Sequence, residues 1–190
     1  MNLPAHIFQT LYNKDNPDHV EEFGPFKCTK ANAWLGYGYY FWDSHIELGH
    51  WWGDVAYGKN YIICKANVII DKSCLDLHGN GLHRNEFKAV CKEIINAGIS
   101  TKTNLLVPQV IEFLKRKNLF KYEAIRALGT NSVSGTLTDT YIIYRLRFIR
   151  NSNTFMDLQP PVQVCLLSKT ALSLQNYRIV YPDEFVENYA

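Results

Sequence analysis

The strongest constraint on the fold is the segment Tyr61–Ile70, which reads YIICKANVII. Every second residue in it is apolar: Ile62, Cys64, Ala66, Val68 and Ile70. Because side chains alternate between the two faces of a strand, this period places all five on one face. The segment therefore predicts a strand with its apolar face on a protein core.

Other segments predict a mixture of helices and strands. Asn85–Ala97 has an apolar stripe at helical spacing that ends at Gly98, and Leu106–Lys117 has Pro108 near its start and a basic last turn. Ser44, with Glu47 three residues later, predicts a capping box that opens a further helix. The remaining predictions are a helix at Asn16–Phe23 and strands at Ala5–Thr10, Gly36–Trp42, Tyr122–Leu128, Val162–Leu167 and Ser173–Tyr181.

Two segments near the carboxyl end have less regular patterns. Gly129–Thr140 is rich in Ser, Thr and Gly and predicts a loop, whereas Tyr141–Arg150 fits either a strand or a helix. Strands at both ends of the chain flank helices in its middle, without a strict strand–helix alternation. This order predicts an α+β fold. We find no internal repeat and no linker, so residues 1–190 are expected to form a single domain.

The cysteines and the apolar segments indicate in which cellular compartment the protein is expected. The chain has five cysteines and no Cys-x-x-Cys pair, so a disulfide scaffold is not expected and a reducing cytoplasm is the simplest interpretation. The first ten residues have neither a cationic lead nor an apolar run, so no signal peptide is expected. The longest apolar stretch is too short to span a bilayer, and a net charge of +2 requires neither nucleic acid nor membrane as a partner.

Aromatic residues are concentrated in Leu35–Gly53, LGYGYYFWDSHIELGHWWG. Three tyrosines, three tryptophans and a phenylalanine lie there around a Gly-x-Gly sequence. Aromatic clusters at such spacing more often form core than a ligand site, and Trp52 is expected to be core. The Gly-x-Gly immediately before a strand–helix junction favours a stacking site for the others.

This block resembles one found in the ADP-ribosyltransferase superfamily, in the branch of the poly-ADP-ribose polymerases and small bacterial toxins. Gly36–Phe41 is similar to its Gly-x-Gly-hydrophobic-Tyr-Phe sequence. In that family the tyrosine and an aromatic residue of the following helix sandwich the nicotinamide of NAD. The resemblance places Tyr40 and Trp51 at those two positions.

Two further segments are similar to the family's other blocks. Ile7–Thr10 resembles the early strand, and it puts Gln9 where the family has a histidine that holds the nicotinamide ribose. Pro161–Leu166 resembles the late strand, and it puts Gln163 where the family has its catalytic glutamate. The His-Tyr-Glu triad therefore becomes Gln9, Tyr40 and Gln163, which keeps hydrogen-bonding groups and removes the ionisable ones.

The resemblance implies a split β-sheet sandwich around an NAD cleft with flanking helices. It implies that NAD is the co-substrate and that ADP-ribose passes to a macromolecular acceptor, protein, DNA or RNA, as nicotinamide is released. A bacterial toxin or defence effector is one role of such chains. The catalytic positions would be Gln9, Tyr40 and Gln163, and the residues contacting NAD would be Thr10, Gly36, Gly38, Tyr39 and Trp51.

Alternatives remain open from the residues. Because Gln163 carries no charge, the same fold could be an inactive NAD-binding, ADP-ribose-binding or protein-interaction module, or an NAD glycohydrolase with water as acceptor. A carboxylate could instead come from Glu47, Glu123 or Asp157. Two weaker groupings are a zinc set, which fits no usual spacing, and a basic rim for diphosphate or nucleic acid. The first comprises Cys74, His78, His83 and Cys91, and the second comprises Lys102, Arg145, Arg147 and Arg150.

Overall fold

A computed structural model describes residues 2–129, 144–151 and 153–186. The loop expected at Gly129–Thr140 lies outside these residues except for Gly129, as do residues 141–143 of the next segment. The strands are β1 (Leu3–Tyr12), β2 (Tyr39–Asp43), β3 (Tyr61–Ile70), β4 (Cys74–Asp76), β5 (Ala124–Leu128), β6 (Arg145–Arg147), β7 (Phe155–Asp157), β8 (Val162–Leu166) and β9 (Gln175–Tyr181). The α-helices are α1 (Pro17–Phe23), α2 (Ile46–Tyr57), α3 (Gly81–Asn96), α4 (Val107–Arg116) and α5 (Asp183–Val186).

Seven strands form one mixed sheet in the order β4-β5-β8-β2-β1-β3-β9. All of its pairings are antiparallel except β4 with β5. β6 and β7 form a separate two-stranded ribbon. The α+β class expected from the sequence is confirmed, and Arg145–Arg147, within the segment that fitted either state, is a strand.

The alternating segment forms β3 over the predicted residues, and its apolar set is buried. The opposite face is buried as well at the start of the strand. Tyr61 and Ile63 pack there with Leu48 of α2. The sequence does not predict this second buried face, because the apolar residues at Tyr61 and Ile63 are followed on the same side by Lys65 and Asn67.

β1 and β2 are neighbours in the sheet but pair over only a short part of their length. The two strands pair at only two positions, Ile7 with Asp43 and Phe8 with Trp42. β1 then continues along β3 as far as Tyr12, while β2 pairs with β8 from Tyr39 to Trp42. A gap therefore opens between the second half of β1 and the first half of β2.

A buried ion-pair network joins strands on either side of β8. Arg126 on β5 donates from Nε to Oδ2 of Asp43 on β2 at 2.6 Å and from Nη1 to Asp76 on β4 at 3.2 Å. All three side chains are largely buried. Burial alone would lower the pKa of Arg126, but the carboxylates of Asp43 and Asp76 raise it above its ordinary value.

The predicted capping box at Ser44 is wrong. α2 begins at Ile46 with His45 as its N-cap, and Ser44 has a left-handed backbone with φ of 63°. Its hydroxyl donates to Oδ1 of Asp43 at 2.7 Å, and its backbone N–H donates to the His6 carbonyl. The turn is thus held by the end of β2, so the hydroxyl does not cap the helix.

The start predicted for α3 is also wrong, because the helix begins four residues earlier. Asn80 caps it, and its side chain accepts from the N–H groups of Leu82 and His83 at 2.9 and 3.3 Å. The apolar stripe begins only at Phe87, so periodicity alone placed the start too late.

Candidate functional site

A cavity of about 400 Å³ lies in the gap between β1 and β2. Its walls come from the second half of β1, from Tyr40 of β2, from Gln163 of β8 and from the segment 26–34. α2 closes one side with Trp52 and Tyr57. Of the residues predicted to form the site, the cavity brings together Gln9, Thr10, Tyr40 and Gln163.

The ring of Tyr40 is held in the cavity wall by its hydroxyl. The hydroxyl donates to the Gly36 carbonyl at 2.7 Å and accepts from the Leu35 N–H at 2.7 Å. Burial, with a smaller contribution from Cys165, raises the pKa of Tyr40 well above its ordinary value. The hydroxyl is therefore a neutral structural group, and the ring is what Tyr40 offers to a ligand.

Gln163 lies opposite Trp42 in the pairing of β8 with β2, and only 9% of it is exposed. Its Oε1 atom is buried without a hydrogen-bond partner among the described residues. A Cβ built on Gly129 would lie 2.7 Å from the Trp34 ring and 3.3 Å from Cγ of Gln163, so these two side chains meet over Gly129. A buried, unpaired acceptor costs about 1–3 kcal/mol, which a ligand that donates to it would recover in part.

Gln9 has a different environment from the one that the resemblance implied. It is 4% exposed, and its Nε2 donates to the Phe26 carbonyl at 2.9 Å while its Oε1 accepts from the Phe26 N–H at 3.0 Å and from the Tyr177 hydroxyl at 2.9 Å. It is paired with Cys64, whose side chain packs with α1 and β9. The Gln9 amide thus anchors the 26–34 wall to β1, and its hydrogen bonds are taken by the protein.

Thr10 points to the other face of β1 and is tied to α2. Its hydroxyl donates to the Gly49 carbonyl at 3.0 Å. A Cβ on Gly49 would lie 3.2 Å from that hydroxyl, so the helix backbone approaches β1 closely here. Thr10 keeps acceptor lone pairs for a ligand, and its donor is already used.

Gly36, Gly38 and Tyr39 do not line the cavity. Gly36 has a φ of 85°, a left-handed conformation that suits glycine. A Cβ on Gly38 would lie 2.8 Å from the Leu166 carbonyl and would also overlap Sγ of Cys165. Gly36 thus allows the turn, and Gly38 allows β8 to pack closely against it. Tyr39 packs on the core on the far side of the sheet.

Two neighbouring tryptophans, Trp51 and Trp52, both pack against the core cluster around Trp42, so the expected core packing of Trp52 is confirmed. They differ in their relation to the cavity. Trp51 lies outside the cavity lining and packs on Trp42, with ring centroids 5.9 Å apart. Trp52, expected to be core, lines the cavity, and its ring lies 6.4 Å from that of Trp34 in an edge-on arrangement. Successive helical residues point about 100° apart, so the spacing from Tyr40 selects a tryptophan but not its direction.

The charges around the cavity are positive. Lys27 and Lys30 belong to its lining, whereas no Asp or Glu does among the described residues. The proposed substitutes Glu47, Glu123 and Asp157 lie outside the lining. So do the basic-rim residues, which are Lys102, Arg145, Arg147 and Arg150. Sequence reasoning missed the two lysines, because the segment that carries them has no motif.

The possible zinc set does not form a metal centre. Among the described residues no group of three or more His, Cys, Asp or Glu side chains is placed to hold a metal ion. Nδ1 of His83 accepts the backbone N–H of Asp76 at 3.0 Å, and Cys74 is buried. His83 therefore helps to organise the turn between β4 and α3.

The helices in residues 2–129, 144–151 and 153–186 include none with both the length and the apolar character needed to cross a membrane. All five cysteines are free thiols. Comparison of the chain with protein-family models, with curated proteins and with solved structures found no match.

Proposed function

We propose that the cavity binds NAD and that the protein transfers ADP-ribose from it to a macromolecular acceptor, releasing nicotinamide. The observation that carries the proposal is the buried Oε1 of Gln163, which has no hydrogen-bond partner among the described residues. Gln163 lines a cavity that also has aromatic rings and two ammonium groups. An ADP-ribosyltransferase fold, with its sheet divided around the ligand, accords with the gap between β1 and β2.

The lining matches the parts of a dinucleotide. Tyr40 and Trp52 offer ring surfaces for a flat heterocycle, and stacking on such rings fixes its orientation. Lys27 and Lys30 offer cations to the diphosphate. Gln163 offers an acceptor to a ribose hydroxyl, in the role that the resemblance gives to the family's glutamate.

In the proposed reaction the bond between C1′ of the ribose and the nicotinamide nitrogen breaks. The electron pair leaves with the nitrogen, which becomes neutral, and the ribose becomes an oxocarbenium ion. A nucleophilic atom of the acceptor then bonds to C1′ and loses its proton to solvent. Gln163 would orient the hydroxyl beside C1′, and the aromatic rings would stabilise the cation.

Replacing Trp52 with alanine should weaken NAD binding about fivefold to 150-fold, because stacking of one base on an aromatic ring is worth about 1–3 kcal/mol. The matched control is Trp51→Ala, which removes a neighbouring ring outside the lining and should leave the dissociation constant nearly unchanged. Calorimetry with NAD measures both, after thermal unfolding has shown that each variant is folded.

The same proteins are then assayed for nicotinamide release from NAD, with and without cell lysate. Release that requires lysate supports transfer, and release without any acceptor would instead make the protein an NAD glycohydrolase. Absence of both binding and release, or a loss of binding only in Trp51→Ala, would contradict the proposed site.

A second candidate is an NAD-binding module without turnover. The observation that favours it is the lack of Asp or Glu in the described lining, since a carboxylate normally stabilises the developing positive charge. Both candidates predict that the protein binds NAD, but only the transferase predicts release of nicotinamide.

The variant Gln163→Glu tests whether Gln163 lies at the reacting centre. It places a carboxylate near the ribose and should raise the rate of nicotinamide release about 100-fold, within the range of a single preorganised electrostatic group. Single-turnover release measures the effect, with Gln159→Glu as control, because Gln159 is also buried but does not line the cavity. An unchanged rate in Gln163→Glu, with NAD still bound, would show that Gln163 is not at the reacting centre.

A further inference from the structure

The ribbon of β6 and β7 differs from the rest of the described structure in its packing. Its three registered pairs are Arg145 with Asp157, Leu146 with Met156 and Arg147 with Phe155. It pairs with neither edge of the seven-stranded sheet. An isolated two-stranded hairpin is at best marginally stable in water, because it lacks a second layer to cover its apolar side chains.

The ribbon displays apolar side chains to solvent. Leu146 and Met156 are opposite one another on one face, and both are about half exposed. At the turn, Phe148 is 66% exposed and Ile149 is 67% exposed. Four large apolar side chains within one short ribbon form a cluster of the kind that marks interaction sites.

Three of these apolar side chains are flanked by arginines in the sequence. Residues 144–151 read YRLRFIRN, with three arginines and no Asp or Glu. The Arg145 guanidinium lies 4.6 Å from the centroid of the Phe155 ring. Oδ1 of Asp157 accepts the backbone N–H of Gln159 at 3.1 Å, so this carboxylate is engaged at the base of the ribbon. The ribbon, termed here the arginine ribbon (residues 145–151 and 153–157), is therefore both apolar and cationic.

We propose that the arginine ribbon is a docking surface for a protein partner whose own surface is apolar and acidic. The partner needs acidic groups to complement the arginines, and it needs an apolar centre to cover the four exposed apolar side chains. Three of the four, Leu146, Ile149 and Met156, are aliphatic and have no ring on which a base could stack, which favours a protein over a nucleic acid. Protein interfaces are enriched in Phe, Met and Arg and depleted in Lys, and the ribbon contains the first three and no lysine.

This surface is separate from the cavity, since none of its residues belongs to the cavity lining. The inference therefore goes beyond NAD binding and does not depend on turnover. A partner could dock whether or not the protein transfers ADP-ribose.

The test is binding of the purified full chain to an array of random-sequence peptides that differ in net charge and aliphatic content. We expect selective binding to acidic, aliphatic-rich peptides. The double variant Phe148→Asp and Ile149→Asp should reduce that binding at least tenfold, because it replaces the two most exposed apolar side chains of the ribbon with charges that repel an acidic partner. The control is Leu82→Asp, which changes a side chain that is 72% exposed and belongs to α3, not to the ribbon.

Binding that shows no preference for acidic aliphatic peptides, or no binding at all, would overturn the proposal. Equal losses in the ribbon variant and in Leu82→Asp would do the same. A third contrary result is preferential binding of fluorescent single-stranded RNA or DNA, or of vesicles with anionic phosphatidylserine, that the ribbon variant abolishes. Thermal unfolding of both variants confirms that the chain is folded in each comparison.

Discussion

Replacing Arg126 with methionine should lower the free energy of unfolding by about 3–5 kcal/mol, a large part of the total stability of a domain. Asp43 and Asp76 would be left as buried carboxylates without the guanidinium that pairs with both. β8, which carries Gln163, lies between the strands that this network joins. Urea unfolding followed by tryptophan fluorescence measures the loss.

The matched control is Lys115→Met. Lys115 pairs with Glu112 at 3.1 Å, but the two side chains are 34% and 52% exposed, so the pair is worth less than about 1 kcal/mol. If the Arg126 variant lost no more stability than this control, the buried network would not stabilise the sheet. Addition of Asp43→Asn to Arg126→Met should recover part of the loss, because it removes one of the unpaired charges.

Replacing Gln9 with methionine should cost about 2–4 kcal/mol of stability, because the Phe26 backbone groups and the Tyr177 hydroxyl would lose partners at a buried site. The 26–34 wall would loosen with it, so NAD binding should weaken only as a consequence. Thermal and urea unfolding measure the first effect, and calorimetry with NAD measures the second.

Gln163→Met is the matched control for this variant. It replaces a second buried glutamine with the same side chain, but Oε1 of Gln163 has no partner among the described residues. Stability should therefore stay the same or rise by up to about 1–3 kcal/mol, because the variant removes an unpaired buried acceptor. NAD binding should fall in this variant instead. If Gln9→Met abolished NAD binding and left stability unchanged, Gln9 would be a ligand contact as the family resemblance implied.

The regular elements were the most predictable part of the fold. The period of two over Tyr61–Ile70 predicted β3 with the observed bounds, since burial of one face repeats the same requirement at every second residue. Helix starts were predicted less well, because they depend on single side chains. Asn80 caps α3 well before its apolar stripe begins, and Ser44 bonds to Asp43 and leaves α2 without the expected cap.

The candidate site was predictable in its residue types and less so in its geometry. Tyr40 and Gln163 were both selected by resemblance to sequence blocks of one family, and their strands, β2 and β8, are neighbours in the sheet. The sequence could not distinguish Trp51 from Trp52, because the direction of a helical side chain depends on how the helix packs on the sheet. It could not reveal Lys27 and Lys30, because they reach the cavity through an irregular segment that Gln9 holds in place.

The sequence by itself determined the longer strands and helices, such as β3, α3 and α4, because these follow from local periodicity. It did not indicate the short strands β4 and β7. Only the tertiary structure decided which polar side chains are available to a ligand. The two glutamines that the resemblance places at catalytic positions differ in their hydrogen bonds. The amide of Gln9 is bonded to Phe26 and Tyr177, whereas the Oε1 of Gln163 has no partner among the described residues. Hydrogen bonds between residues distant in the chain make that difference, and no local pattern encodes them.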